Sequence, residues 1–317
     1  MISETKKETA HPAPDFSVVI PIYNEEENIM ELYKRLTTVM EKLGTYEIII
    51  VDDGSKDNGW NIIKNLHEKD ARIKGISFSR NFGHHIAVLA GIDHCTGNLT
   101  ILMDGDLQDQ PEEIPKLIAK AQEGYDIVQG ISPQRHSNPL QNLFSKLFSM
   151  IFIRISTVDP KTRIGLFKCI KRPVVDAMKE LPERTIFLGG MLSYIGYAMS
   201  YAPVQRGIRY AGRSKYNFLK RVSLAMNAVI SFSERPLIYI FRLGMLVFFF
   251  SILMFLFAVS KKIFYNIPII GWTSLFAAIF FSTGLITLSL SVVGIYISRI
   301  FIEIKQRPRY IIREIMD

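Results

Sequence analysis

Cysteine is scarce. Only Cys95 and Cys169 occur in 317 residues, and neither sits in a CxxC or CxxH spacing. A disulfide framework and a zinc site are therefore not expected, and a reducing compartment is. Residues 1–14 lack an apolar core, so no signal peptide is expected and the N-terminal part is placed in the cytoplasm. Charge is missing from two long stretches: Leu243–Ser260 has none in 18 positions, and Asn266–Ser298 none in 33. Soluble helices seldom show such runs twice in succession, so two C-terminal transmembrane helices are expected within 236–299, with Arg242 snorkelling at one end. No charged residue lies inside the spans, which argues against a channel or transporter. A Gln-x-x-Arg-Trp element is absent, and two crossings are too few for a secretion channel, which argues against a processive polysaccharide synthase.

Where charge is present it is mostly positive, with a net +8. A basic balance suits nucleic acid, an anionic lipid surface or phosphorylated substrates. The apolar C-terminal third favours the lipid readings and no nucleic-acid partner. Arg221, Arg235 and Arg242 precede the spans, and Arg299, Lys305, Arg307, Arg309 and Arg313 follow them. The positive-inside rule then puts both flanks in the cytoplasm, with the connector outside and 300–317 as a cytoplasmic basic tail.

From Phe16 the chain alternates strand-like and helix-like segments, after a disordered N-terminus over 1–15. Strands are expected at Phe16–Ile22, Glu47–Val51, Ile73–Phe78, Leu99–Met103 and Ile127–Gly130. Helices are expected at Glu25–Leu43, Asn61–Leu66, Ile86–Ile92 and Glu112–Glu123. This rhythm predicts an α/β, Rossmann-like catalytic domain over 16–232, with a mostly parallel sheet and ligands beyond the carboxyl ends of its strands. Two basic amphipathic segments, about 138–156 and 214–232, read as helices in the membrane interface. A packed surface helix is the alternative for the first.

Polar clusters stand at those strand ends. Pro21, Tyr23, Asn24 and Glu25 close the first strand. Asp52-Asp53-Gly54-Ser55 closes the second, where carboxylates can accept from a base imide and ribose hydroxyls or serve as helix caps. Arg80, between a strand and a helix, is placed for a phosphate or for orienting the acids. His84 and His85 read as helix-start residues rather than metal ligands. Asp104-Gly105-Asp106 puts two carboxylates at i and i+2 in a tight turn, with Gln108 adding a neutral oxygen. Those hard ligands suit Mg²⁺ or Mn²⁺ beside a diphosphate, although such a turn alone is common. Arg206, Arg209, Arg213 and Lys215 surround a glycine turn before the second amphipathic segment and form a candidate acceptor-phosphate site. General attraction to anionic lipid is the alternative there.

The ordered set Phe16-Ser-Val-Val-Ile-Pro-Ile-Tyr-Asn-Glu25, Val51-Asp-Asp-Gly-Ser55, Ser79-Arg-Asn-Phe-Gly83, Asp104-Gly-Asp-Leu-Gln-Asp109, Gly212-Arg-Ser-Lys-Tyr216 and Arg307-Pro-Arg-Tyr310 resembles the family 2 glycosyltransferases that use polyprenyl phosphate, of the bactoprenol glucosyltransferase and dolichol-phosphate mannose synthase group. The resemblance implies a GT-A fold, an inverting transfer from a nucleotide-sugar (UDP-glucose being one example) to polyprenyl phosphate, a divalent metal, a multi-pass inner-membrane location and a homotetramer. It implies that Asp52 and Asp53 hold the nucleoside, and that Asp104, Asp106 and Gln108 hold metal and diphosphate. Two departures stand out. The usual Gly-Asp-Phe-Arg is Gly165-Leu166-Phe167-Lys168 here, and basic residues expected at the acceptor phosphate are replaced by Ser132 and Asn142. Arg135, His136, Lys146 and Lys168 are alternative cations. These departures also motivate a rival reading, a catalytically weak relative serving as a membrane scaffold; retention of both acids of the turn argues against it.

Overall fold

The computed structural model describes residues 13–132, 165–181, 188–207, 235–265 and 271–317. The expected interface helices at 138–156 and 214–232 lie outside them. Two compact units are present: one drawn from 1–143, 158–216 and 308–317, the other from 144–157 and 217–307.

The first unit is built on an eight-stranded sheet: β1 (Phe16–Ile22), β2 (Tyr46–Asp52), β3 (Ile73–Phe78), β4 (Leu99–Leu102), β5 (Ile127–Ile131), β6 (Lys168–Lys171), β7 (Met199–Pro203) and β8 (Ile312–Met316). Their spatial order is β7-β5-β6-β4-β1-β2-β3-β8. Strands β1 to β4 are mutually parallel, as the alternating pattern predicts. Both β1 and β2 are buried at all seven positions, which is why they read as continuous apolar runs. The sheet is nonetheless mixed. β6 runs antiparallel to both β4 and β5, and β8 antiparallel to β3. β8 carries Arg313 and Glu314 among its five residues, so its hydropathy never signalled a strand.

Helices α1 (Glu26–Met40), α2 (Gly59–His67), α3 (His84–His94) and α4 (Ile114–Gln122) fall where periodicity predicts, within a few residues. In α1 the buried positions include Ile29, Leu32, Leu36 and Met40, one stripe of a 3.6-residue period, and Glu26 and Glu27 in the first turn complement its dipole. That stripe shares one core with Val18, Ile20, Ile48 and Ile50 of the sheet and with buried residues of α2 and α4. The other face of β1 and β2 is covered by α3, which explains why α3 is apolar nearly all round. Among the described residues, α5 (Arg172–Glu180) and α6 (Leu188–Ile195) also belong to this unit. Each large apolar side chain buried this way contributes roughly 1.5–3 kcal/mol.

The second unit contains two long helices, α7 (Arg235–Tyr265) and α8 (Trp272–Ile304). α7 runs through Lys261 and Lys262, which the sequence places in the connector. Phe281–Ile304 is long and apolar enough to cross a membrane; Leu237–Val247 is a shorter apolar stretch. Many of their large apolar side chains are exposed, among them Phe249, Leu253, Phe281 and Leu290.

Candidate active site

Because β1 to β4 are parallel, the turns after all four open on one edge of the sheet. The β1 and β2 turns are clamped together. The Asn24 amide donates to Ser55 Oγ (2.9 Å), and the Lys56 amide donates to Asn24 Oδ1 (2.8 Å). Asn24 takes a φ of 51° to do so, a left-handed conformation that asparagine tolerates. Pro21 is buried, Tyr23 and Glu25 are half-buried, and the Asn28 side chain donates to Glu25 Oε2.

Asp52 is fully buried at the end of β2. Its Oδ1 accepts from the Ser55 amide (2.9 Å) and its Oδ2 from Ser77 Oγ (3.0 Å). Asp53, also buried, accepts from the amides of Phe82 (2.7 Å) and Gly83 (3.0 Å), and thereby ties the β3 turn to the β2 turn. Burial pushes the Asp53 pKa up despite those two donors. Between these acids Gly54 has a φ of 69°, and a Cβ there would run into the main chain of Arg80 and Asn81. The Asp-Asp-Gly sequence is thus a device for packing one turn on another. Arg80 is exposed, its guanidinium 4.4 Å from the centre of the Phe82 ring.

The β4 turn concentrates negative charge. Asp104 is a quarter exposed, and Asp106 and Asp109 are buried. The Gln108 amide donates to Asp106 Oδ1 (3.0 Å) and the Asp104 amide to Asp109 Oδ2 (3.3 Å); Leu107 adopts a φ of 61° to close the turn. Gly105 is required for space, since a Cβ would stand 2.9 Å from the Ile22 side chain. Burial, reinforced by Asp104, pushes the Asp109 pKa up to about 7. The histidines open α3, as expected. His84 Nε2 lies 3.4 Å from Asp104 Oδ1, and desolvation lowers its pKa although Asp53, Asp106 and Asp109 pull the other way.

Cations approach this turn from two sides. Arg206 bridges to Asp109 in a short antiparallel contact, with Nε 3.6 Å from Asp109 Oδ1, and the Gly207 amide donates to Gln108 O (2.9 Å). Arg206 is therefore already partnered to the acidic turn. Arg209, Arg213 and Lys215 lie outside the described residues, as do Arg135, His136, Asn142 and Lys146. Lys168, at the start of β6, is buried, and its ammonium donates to the Gly165 carbonyl. Burial lowers its pKa to about 8, with Asp109 and Asp104 opposing. The ammonium is thus enclosed and not at solvent, and the negative charge of Asp109 and Asp104 favours its protonated form. Leu166 is buried in the core.

The sequence reading quotes Asp109 in the acidic motif without giving it a role, and names Lys168 only as an alternative acceptor-phosphate cation. Asp109 was visible as a third acid of an Asp-x-Asp-x-x-Asp run. Lys168 carried no local signal of its enclosure.

Among the described residues, no three His, Cys, Asp or Glu side chains group closely enough to hold a metal unaided. Asp104, Asp106 and Gln108 nevertheless fit a hard divalent ion. Mg²⁺ is commonly bound by one or two carboxylates, with waters and substrate phosphates completing its shell. The Asp104 and Asp106 carboxylates, two residues apart in one turn, place negative charge that such an ion would offset.

Residues 17–176 match the family described as Glycosyl transferase family 2. The chain is 38% identical over 303 residues to an uncharacterized glycosyltransferase of Synechocystis sp., covering 95% of each chain. It is 37% identical over 304 residues to an uncharacterized glycosyltransferase of Bacillus subtilis, covering 94% of this chain and 93% of the other. Its fold is similar to that of mannosyl-3-phosphoglycerate synthase from Rubrobacter xylanophilus, at 15% identity and a TM-score of 0.51 over 69% of this chain and 73% of that one. With its GT-A-like mixed sheet and acidic strand-end turns, the chain belongs to glycosyl transferase family 2 and is a glycosyltransferase.

Proposed function

We propose that this enzyme transfers a sugar, with inversion, from a nucleotide-sugar of the UDP class to polyprenyl phosphate at the cytoplasmic face of a membrane. The observation that carries the reading is the acidic turn Asp104–Asp109 beside the Asp52–Asp53 turn, in a chain whose C-terminal helices are apolar. Asp52 and Asp53 border the nucleoside pocket with Pro21, Tyr23, Asn24 and Glu25. The bond from the anomeric carbon to the diphosphate breaks as a lipid phosphate oxygen attacks in line, and the nucleoside diphosphate departs. A divalent cation held by Asp104, Asp106 and Gln108 would neutralise charge on that diphosphate. Arg80, at the β3 turn, orients the donor phosphates.

A phosphate monoester with a second pKa of about 6 is largely dianionic at neutral pH. Such a nucleophile has no proton to lose, so a buried leucine at 166 is compatible with turnover. Alignment and charge placement then carry most of the catalysis. Arg206, Arg209, Arg213 and Lys215 supply the acceptor-phosphate contacts.

The sheet topology constrains any membrane crossing. β8 belongs to the catalytic sheet, so the chain's last residues lie on the same side of any membrane as β1. The number of crossings between them is then even, so a crossing by Phe281–Ile304 requires a second one between β1 and β8, and this proposal assigns it to α7. The test is lipid-phosphate kinetics with nucleotide binding measured on the same variants. Lys215→Ala and Arg209→Ala are expected to weaken acceptor use by about ten- to a hundredfold, the effect of one lost charged contact of ~1.5–3 kcal/mol. Nucleotide affinity is expected to hold. Collapse of nucleotide binding with unchanged lipid dependence would reassign these cations to the donor.

A further inference from the structure

We propose that Arg313, on the last strand of the chain, is a positioning residue for Asp52, so that the C-terminal segment completes the nucleoside end of the donor site. The inference rests on the nucleotide-site reading above. β8 pairs with β3 through Gly75↔Met316, Ile76↔Ile315 and Ser77↔Glu314, and then slips, so that Phe78 faces Ile312. Arg313 is left opposite no residue of β3. Such bulges re-aim a side chain, and this one delivers a guanidinium to the buried end of β2. Arg313 Nη2 donates to Ser77 Oγ (2.8 Å) and lies 3.9 Å from Asp52 Oδ2.

The polarity of this relay is fixed by chemistry. Arginine has donors only, so the Ser77 oxygen must accept. The single hydroxyl proton of Ser77 is thereby committed to Asp52 Oδ2, at 3.0 Å. Asp52 Oδ1 is meanwhile held by the Ser55 amide at 2.9 Å. Both oxygens are pinned, and the carboxylate plane is set before any ligand arrives. Without Arg313 the hydroxyl is free to rotate and the buried carboxylate loses its nearby positive charge.

The strand that carries Arg313 is anchored independently of it. Glu314 Oε2 accepts from Trp60 Nε1 (2.9 Å), and Glu314 pairs with Lys64 (2.6 Å). The Ser79 amide donates to Ile311 O (3.0 Å). Tyr310 stacks on Phe78 with centroids 5.0 Å apart and donates its hydroxyl to Asp93 (2.9 Å). Strand docking and the Arg313 contact can therefore be perturbed separately.

The experiment titrates UDP, UMP and GDP into the full-length protein in detergent, with thermal melting alongside. Arg313→Met is expected to raise Kd for UDP and UMP alike, by about tenfold (~1.4 kcal/mol). Arg313→Lys recovers part of the loss. Ser77→Ala weakens binding similarly, and the double variant is no worse than either single, because both break one relay. Glu314→Ala lowers the melting temperature and leaves Kd within about twofold, the scatter expected of independent sites. Unchanged nucleotide affinity in Arg313→Met overturns the inference. So does an equal loss in Glu314→Ala, which would reduce Arg313 to strand docking, and so does a loss for UDP without one for UMP, which would put Arg313 on the diphosphate. If the unsubstituted chain binds neither UDP nor GDP, the nucleotide-site reading itself falls and takes this one with it.

Discussion

Gly54→Ala isolates how the site is assembled. Gly54 has a φ of 69°, and an added Cβ meets the main chain of Arg80 and Asn81, which cannot rotate aside as a side chain would. A left-handed conformation costs alanine ~1–2 kcal/mol. Relief of the clash requires the Arg80–Asn81 segment to move, and the next two amides, of Phe82 and Gly83, are those that Asp53 holds at 2.7 and 3.0 Å. Loss of one hydrogen bond to a charged group adds ~1.5–3 kcal/mol. The sum is about 2.5–5 kcal/mol, an apparent melting-point drop on the order of 10 °C. Displacement of that segment also moves Arg80, so donor affinity is expected to fall at least about tenfold if half of this cost reaches the binding site. The control is Gly124→Ala, where φ is 109° and nothing lies within 4 Å of the added Cβ. It carries backbone strain of ~1–3 kcal/mol and is expected to leave donor affinity alone. Calorimetric titration of UDP and a thermal melt on both variants suffice. Gly54→Ala with normal melting and normal affinity would refute the account of packed turns.

Three further outcomes are expected. Asp106→Asn should lose most turnover while folding and inserting normally, and full activity of that variant in EDTA would sink the divalent-ion assignment. Glu47 accepts from Ser17 (2.5 Å) and Thr96 (2.7 Å) and pairs with Lys74 (3.0 Å); burial alone would push its pKa up, but these partners outweigh it and hold it below the ordinary value. Its contribution to stability is therefore full above the unfolded value of about 4.3 and fades as pH falls through the lower folded one, so the melting-point gap between wild type and Glu47→Gln should narrow on acidification; a constant gap would contradict this. A cysteine at Asn266 should react with an impermeant thiol reagent from the outer side only, against low background because Cys95 and Cys169 are buried, and labelling from the cytosolic side would refute the topology.

Much of the catalytic unit was legible because its central strands are buried on both faces and its helices show single stripes. Ile29, Leu32, Leu36 and Met40 announced α1, and the strand-end turns followed from the parallel order. What stayed hidden was non-local. β8 reads as a basic tail because an edge strand with alternating exposure keeps its charges, and nothing local says that it returns to β3. Arg313 was legible only as a topology signal, although its guanidinium reaches Ser77. The reversed β6 was likewise invisible, since Lys168-Cys169-Ile170-Lys171 carries cations at both ends. Lys168 gave no sign that its ammonium is enclosed, because a lysine is ordinarily a surface residue.

The most direct test incubates membranes containing the enzyme with labelled nucleotide-sugars, UDP-glucose first, and undecaprenyl phosphate, then extracts the lipid. The account predicts label in a polyprenyl-phosphate-linked sugar, dependent on Mg²⁺ or Mn²⁺ and lost in Asp104→Asn and Asp106→Asn. Label that reaches only water-soluble acceptors, or lipid labelling that persists in both variants, would contradict it.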